Sequence, residues 1–204
     1  MFGEKTIYRR MLGIVGSPRR GGNTETLVDE VLRGAEEAGA LVEKVILSEL
    51  DIAPCRACDT CRRTGRCVQQ DDMPTVMEQM RRSRVWVLGT PVYWWGPTAQ
   101  FKAFLDRWHV GGNVISRREG QRVILVIPFE DTDAGTARHV VGMFEDVLAY
   151  LKVELFATVL APGVLHRGEV REHSSVLAVA YRAGQEAVKV KRGSGRSQAE
   201  QAFD

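Results

Sequence analysis

Residues 11–26, MLGIVGSPRRGGNTET, decide the fold because they run from a short apolar segment into a polar, glycine-rich loop. The segment 11–15 has the composition of a buried strand, and Gly16 ends it. Asn23 or Thr24 stands where the side chain that caps a following helix is expected. The apolar residues of that helix recur at helical spacing, at Leu27, Val28, Val31 and Leu32. The stretch therefore predicts a strand, a loop and a helix in direct succession.

The loop in this stretch has the chemistry of an anion-binding site. A helix start after a strand directs free backbone N–H groups and a positive dipole end at an anion. Hydroxyl, amide and guanidinium donors that suit a phosphate monoester come from Ser17, Arg19, Arg20, Asn23 and Thr24. The spacing is neither GxxxxGK[ST] nor GxGxxG. An ordinary strand–helix turn is the alternative, and this loop alone does not decide between the two.

The rest of the chain continues the alternation of strands and helices. The predicted strands are 11–15, 41–47, 84–88, 122–127 and 154–160. The predicted helices are 24–38, ended by Gly39, then 72–82, 98–108, 135–151 and 173–190. Strands that are apolar on both faces predict an α/β three-layer sandwich with a five-stranded, parallel, doubly wound sheet. We expect residues 1–192 to form a single domain and residues 193–204 to be a disordered tail.

The composition excludes several classes of function. The chain has 204 residues, 44% hydrophobic and 26% charged, which is typical of a globular protein. A net charge of +2 is too small to indicate a nucleic acid or an anionic membrane as partner. The first ten residues, MFGEKTIYRR, have no apolar core segment, so we expect no secretory signal, and no apolar run approaches the roughly 18 residues of a membrane helix. We therefore expect a cytoplasmic protein.

Two loops after predicted strands carry further candidate residues. Residues 89–97 place three consecutive aromatics, Tyr93, Trp94 and Trp95, in a loop, where they suit a planar heterocycle. A hydrophobic patch for a partner subunit is the alternative, and both can hold. Phe129, Glu130 and Asp131 follow the fourth strand. They suit a cofactor contact, and an ordinary acidic surface loop is an equally compatible alternative.

Together, GSPRRGGNT after the first strand and PVYWWGPTAQFKAFLDRW after the third resemble the flavodoxin-like NAD(P)H-dependent FMN reductase superfamily. The resemblance implies that the first loop holds the FMN phosphate and that the second borders the isoalloxazine ring. It also implies a homodimer or homotetramer with FMN near the subunit contacts. No side chain need act as acid or base, because the flavin performs the transfer. The expected cofactor-binding residues are Ser17, Arg19, Gly22, Asn23, Thr24, Pro91, Val92, Tyr93, Trp94, Trp95, Gly96, Phe129 and Glu130.

All four cysteines lie in one loop, residues 48–70, with the spacing C-x2-C-x2-C-x5-C at Cys55, Cys58, Cys61 and Cys67. The C-x2-C-x2-C start is typical of a 4Fe–4S site, whereas structural zinc prefers two separated pairs. Free thiols, zinc and a disulfide are the alternatives. The spacing resembles that of the iron–sulfur flavoproteins, which carry FMN and a 4Fe–4S cluster. Four arginines, Arg56, Arg62, Arg63 and Arg66, either lower the thiol pKa values or form a solvated basic loop.

These observations predict an FMN-dependent oxidoreductase of the iron–sulfur flavoprotein type. The electron donor is expected to be NAD(P)H or a ferredoxin-like protein, and the acceptor a small molecule or a protein. An NAD(P)H-dependent FMN or quinone reductase without a cluster is the first alternative. An electron carrier with no substrate of its own, and a non-redox interaction protein with a zinc-stabilised cysteine loop, are the others.

Overall fold

A single parallel sheet organises the computed structural model, which describes residues 10–111 and 120–189. Its strands are β1 (Arg10–Val15), β2 (Leu41–Ile46), β3 (Val85–Gly89), β4 (Arg122–Pro128) and β5 (Glu154–Ala161). All neighbouring strands are parallel, in the order β2-β1-β3-β4-β5. This is the flavodoxin-like order, with its switch point between β1 and β3. The predicted fold class is confirmed.

The described helices are α1 (Asn23–Glu37), α2 (Thr60–Thr64), α3 (Met73–Arg82), α4 (Ala99–Asp106), α5 (Arg138–Leu151) and α6 (Ser174–Val188). Five of them match predicted helices, with ends that differ by a few residues. The exception is α2, which lies within the predicted loop at 48–70 and whose residues, TCRRT, have no apolar periodicity. No described helix has the length and apolarity needed to cross a membrane. The tail predicted at 193–204 lies outside the described residues.

Helices cover both faces of the sheet, which gives the three layers. Leu12, Leu88 and Leu125 point to one face and pack with α3, α4 and α5. Met11 and Val87 point to the other face and pack with α1 and α6. Alternate strand residues therefore enter separate cores, as strands buried on both faces require. Because the strands are parallel, the carboxyl ends of β1, β3, β4 and β5 lie at one edge of the sheet, and the candidate functional loops follow them.

Candidate functional site

The first loop, residues 16–22, joins β1 to α1 and presents the start of that helix. The N-cap is Gly22, and no side chain caps the helix. The prediction that Asn23 or Thr24 caps it is therefore wrong, because both residues already lie within the first turn. The first backbone N–H groups of a helix have no partner within it. Because no side chain caps them here, they remain available to an anionic ligand.

Asn23 and Arg19 connect the first loop to the loop after β5, residues 162–168, which we call the β5 loop. The amide nitrogen of Asn23 donates to the carbonyl of His166 at 2.9 Å and to that of Val164 at 3.4 Å. Its amide oxygen accepts from the backbone N–H of Val170 at 3.1 Å. Arg19 donates to the carbonyl of Leu165 at 3.0 Å. Asn23, predicted as a direct ligand donor, is thus engaged in holding two loops together.

A buried carboxylate supports the first loop from behind. Glu25 accepts from the backbone N–H of Gly21 at 2.6 Å and from Lys44 at 2.9 Å, and it lies 3.3 Å from Arg20. Burial alone would raise the pKa of Glu25, but these hydrogen bonds and cations outweigh it and lower the pKa. The carboxylate is therefore ionised and neutralised by its neighbours. Gly21 has a φ of +63°, which glycine adopts without strain.

Residues 89–97, which we call the aromatic loop, contain a tight turn with an unusual backbone at Tyr93–Gly96. Tyr93 and Gly96 exchange backbone hydrogen bonds of 2.8 and 3.0 Å. The two central residues, Trp94 and Trp95, have φ values of +48° and +58°, the pattern of a type I′ turn that normally carries Asn or Gly. Trp94 is 89% exposed. Backbone strain of this kind persists mainly where function requires it.

One cavity of about 320 Å³ unites the loops that follow β1, β3, β4 and β5. Most of the predicted site residues line it, namely Ser17, Arg19, Asn23, Thr24, Pro91, Val92, Tyr93, Trp94, Phe129 and Glu130. Gly22, Trp95, Gly96 and Asp131 are not among its lining residues. The carboxylate of Asp131 instead accepts from Thr136 at 2.7 Å and from the N–H of Asp133 at 2.9 Å, within its own loop.

Sequence reasoning missed Pro128 and three residues of the β5 loop, Val164, Leu165 and Arg167. The β5 loop carries no motif, and the hydrogen bonds that join it to Asn23 connect residues more than 140 positions apart. Only the position of the β5 loop could have indicated its role. Ligands of doubly wound sheets bind at the carboxyl ends of the strands, and the β5 loop follows such an end.

The residues of the cavity fit FMN. One part offers the uncapped start of α1, the hydroxyls of Ser17 and Thr24, and the Arg19 guanidinium, which suit a phosphate. Another part is formed by Tyr93 and Trp94, whose flat rings suit a planar heterocycle. The volume lies at the lower end of the range of small-molecule sites.

The cysteine loop borders a second cavity, also of about 320 Å³. All four cysteines line it and none is in a disulfide. Backbone N–H groups approach two of the sulfurs, from Ala57 to Cys55 at 3.4 Å and from Gln69 to Cys67 at 3.5 Å. Within residues 10–111 and 120–189, no three His, Cys, Asp or Glu side chains are arranged to hold a metal ion. The four thiols therefore share one cavity without converging on one point.

Arg107, which the sequence analysis did not single out, fixes the base of the cysteine loop. Its side chain is 1% exposed and forms a two-pronged ion pair with Asp71. It also donates to the carbonyl of Ala53 at 2.7 Å and to the sulfur of Cys67 at 3.5 Å. Of the four arginines expected around the sulfurs, Arg56 lines the cavity. The buried cation of the site thus comes from the end of α4, outside the cysteine loop.

Comparisons with known proteins agree with this geometry. The sequence profile of the NADPH-dependent FMN reductase family matches residues 9–166. An iron-sulfur flavoprotein of Archaeoglobus fulgidus is 42% identical over 98 residues, which are 48% of this chain and 44% of that protein. An iron-sulfur flavoprotein of Methanocaldococcus jannaschii is 38% identical over 98 residues, 48% of this chain and 51% of that protein. The chain spans about half the length of the curated relatives it matches.

Among solved structures, the NAD(P)H:quinone oxidoreductase from Methanothermobacter marburgensis has a TM-score of 0.69 to this chain. The two are 18% identical, and the match covers 87% of this chain and 98% of the other. The Trp repressor binding protein from Bacillus subtilis gives a TM-score of 0.65 at 20% identity, covering 85% of this chain and 98% of the other. At these identities the likeness shows the fold.

Proposed function

Because this chain belongs to the NADPH-dependent FMN reductase family, we propose that it is an FMN-dependent oxidoreductase of the iron–sulfur flavoprotein type. The observation that carries the proposal is the cavity at the carboxyl ends of β1, β3, β4 and β5, which combines anion donors with exposed aromatic rings. When bound, FMN supplies hydride and single-electron chemistry. The protein's part is to bind, orient and partly shield it.

The first loop anchors the phosphate in this proposal. Ser17 is buried, and its hydroxyl accepts from the N–H of Arg19 at 3.2 Å, which leaves its own proton for an anion. Thr98, also buried, donates to the carbonyl of Gly16 at 2.6 Å and so ties α4 to the first loop. The aromatic loop and the first loop are therefore held in a fixed relation before a ligand arrives, which reduces the entropic cost of binding.

The ring-binding part is formed by the turn at Tyr93–Gly96 and the end of β4. The N–H of Val92 donates to the carbonyl of Pro128 at 3.3 Å, which fixes the start of the aromatic loop against the neighbouring strand. Tyr93 and Trp94 then border the cavity. The exposed ring of Trp94 leaves room for a second planar molecule or a subunit contact at the cavity mouth.

We include a 4Fe–4S cluster on Cys55, Cys58, Cys61 and Cys67 in the proposal. Three observations support it: the C-x2-C-x2-C-x5-C spacing, the cavity that all four residues line, and the relatives named iron-sulfur flavoproteins. These four residues would hold the cluster through their thiolates. The cluster would supply single-electron transfer.

The remaining parts of the proposal concern donor, acceptor and assembly. We expect NAD(P)H or a ferredoxin-like donor, a small-molecule or protein acceptor, and a homodimer or homotetramer in the cytoplasm. The family name supports a nicotinamide donor. The four free cysteines suit a reducing compartment.

Anaerobic reduction of the bound flavin tests the proposed activity. The FMN-loaded protein is mixed in turn with NADPH, NADH and a reduced ferredoxin, and the flavin absorbance is followed. Bleaching by at least one donor, and recovery on addition of a quinone, is the expected result. A flavin that none of the three donors reduces would contradict the proposed activity.

A further inference from the structure

The β5 loop is fastened to the first loop at several points. The amide nitrogen of Asn23 and the guanidinium of Arg19 donate to carbonyls of the loop, and the amide oxygen of Asn23 accepts from the N–H of Val170, just beyond it. From the residues that follow, Arg171 donates back to the carbonyl of Gly21 at 3.4 Å. Glu169, just after the loop, accepts from the N–H groups of Leu165 and His166, each at 2.7 Å, and so fixes the loop backbone. The β5 loop is thus a second wall of the anion end of the cavity.

This wall carries Arg167, whose guanidinium lies against the first loop. A β-carbon added to Gly21 would lie 3.4 Å from Nη2 of Arg167. Arg167 lines the same cavity as Ser17, Arg19 and Thr24. Two arginines, one from the first loop and one from the β5 loop, therefore border the anion end.

The charges around these two arginines leave them available to a ligand. Within residues 10–111 and 120–189, no carboxylate forms an ion pair with Arg19 or Arg167. The nearby Arg20 is different, because Glu25 and Glu49 bind it. Glu25 is itself neutralised by Arg20 and Lys44 behind the loop. Among the described residues, Arg19 and Arg167 therefore border the cavity without a carboxylate at ion-pair distance.

We propose that Arg167 is a phosphate-binding residue that, with Arg19, binds the FMN phosphate at the start of α1. This inference rests on the proposed function. A phosphate monoester carries close to two negative charges at pH 7, which two guanidinium groups match. The stretch shared with the family ends at residue 166, so Arg167 lies just beyond it. Asn23 is then a positioning residue, since its amide holds the β5 loop that carries Arg167.

The inference predicts a selective defect that a general loss of structure would not produce. Riboflavin has the same ring system as FMN but no phosphate. In Arg167→Gln, the dissociation constant for FMN should rise about tenfold or more, as loss of a charge-assisted hydrogen bond implies. The constant for riboflavin should not change. Arg167→Lys keeps the charge without the forked geometry of the guanidinium. Its dissociation constant for FMN should lie between those of wild type and Arg167→Gln.

The experiment titrates the flavin-free, full-length protein with FMN and with riboflavin, using flavin fluorescence. Arg182→Gln is the matched control, because Arg182 is an exposed arginine of α6 outside the cavity lining. It should bind both flavins like wild type. The salt dependence of FMN binding should also be shallower in Arg167→Gln than in wild type, since one charge fewer faces the phosphate.

The outcomes separate this inference from the proposed function. A wild-type protein that binds neither flavin contradicts both. If wild type binds FMN and Arg167→Gln binds it equally well, or loses FMN and riboflavin equally, the role of Arg167 is wrong while FMN binding stands. A variant with unchanged FMN binding but a raised KM for NADPH relative to NADH would assign Arg167 to the nicotinamide phosphate and overturn the inference.

Discussion

Arg107 and Asp71 form a buried ion pair. The side chains are 1% and 4% exposed, so the ions are stabilised by each other and by backbone groups rather than by water. Burial alone would raise the pKa of Asp71, but the hydrogen bonds from Arg107 and from the N–H of Met73 lower it. Removal of one partner would leave a buried charge without compensation.

We expect Asp71→Asn to lower the free energy of unfolding by about 3–5 kcal/mol, because the buried guanidinium loses its counter-ion. Urea unfolding of the full chain measures this. Asp29→Asn is the control, since Asp29 is half exposed and pairs with Lys44 at the surface. It should cost less than about 1 kcal/mol. If both variants lose the same free energy of unfolding, the buried pair contributes no more to stability than the surface pair.

The same pair predicts the direction of a pH effect. Because the pKa of Asp71 is lowered in the folded state, its contribution to stability is complete above the usual aspartate range, near pH 4. It is lost as the pH falls through the lowered pKa. The stability difference between wild type and Asp71→Asn should therefore be constant at neutral pH and shrink below about pH 4. A difference that grows on acidification would be inconsistent with this assignment.

Ser17 and Asn23 make different contributions to the same cavity. Ser17→Ala combined with Asn23→Ala should weaken FMN binding by about tenfold or more while leaving the circular dichroism spectrum unchanged. The first change removes a buried donor and the second releases the β5 loop. Ser175→Ala, at an exposed serine of α6, is the control. Unchanged flavin affinity in the double variant would remove these residues from the site.

At the scale of elements, α1 and α6 approach each other so closely that only glycine fits at their crossing. A β-carbon on Gly34 would lie 2.0 Å from the carbonyl oxygen of Tyr181, and one on Gly184 would lie 1.9 Å from that of Val31. Both distances are to backbone atoms, which a rotamer change cannot relieve. This contact positions α1, whose first turn forms the anion end of the cavity.

Gly184→Ala should therefore destabilise the protein by about 1–3 kcal/mol, because the two helices must separate. Gly142→Ala, in α5, meets open space and should stabilise it by about 0.5–1 kcal/mol through helix propensity. Urea unfolding of the two variants tests the contrast. Opposite signs are expected, whereas stabilisation by both substitutions would show that the crossing tolerates a methyl group.

For the whole molecule, local sequence patterns are sufficient to predict most strands and helices. The roles of Asn23 and Arg107 depend on contacts between residues that are distant in sequence, which local patterns do not reveal. The apolar runs at β1, β3 and β4 are sufficient to predict a buried parallel sheet, and the sheet brings the first and aromatic loops together. The local sequence predicts Asn23 as a ligand donor. It does not reveal that the amide bonds to backbone groups over 140 positions away. Arg107 was missed for the same reason, since it lies 36 positions from Asp71. Its importance depends on burial, which composition does not reveal.

The most direct test of the central claim is a visible spectrum of protein purified anaerobically, with iron and acid-labile sulfide assayed on the same sample. The expected result is flavin bands on a broad iron–sulfur absorption, with about four irons per chain. Flavin bands without iron would contradict the cluster and leave an FMN reductase with unligated cysteines. A colourless protein that does not take up FMN would contradict the central claim itself.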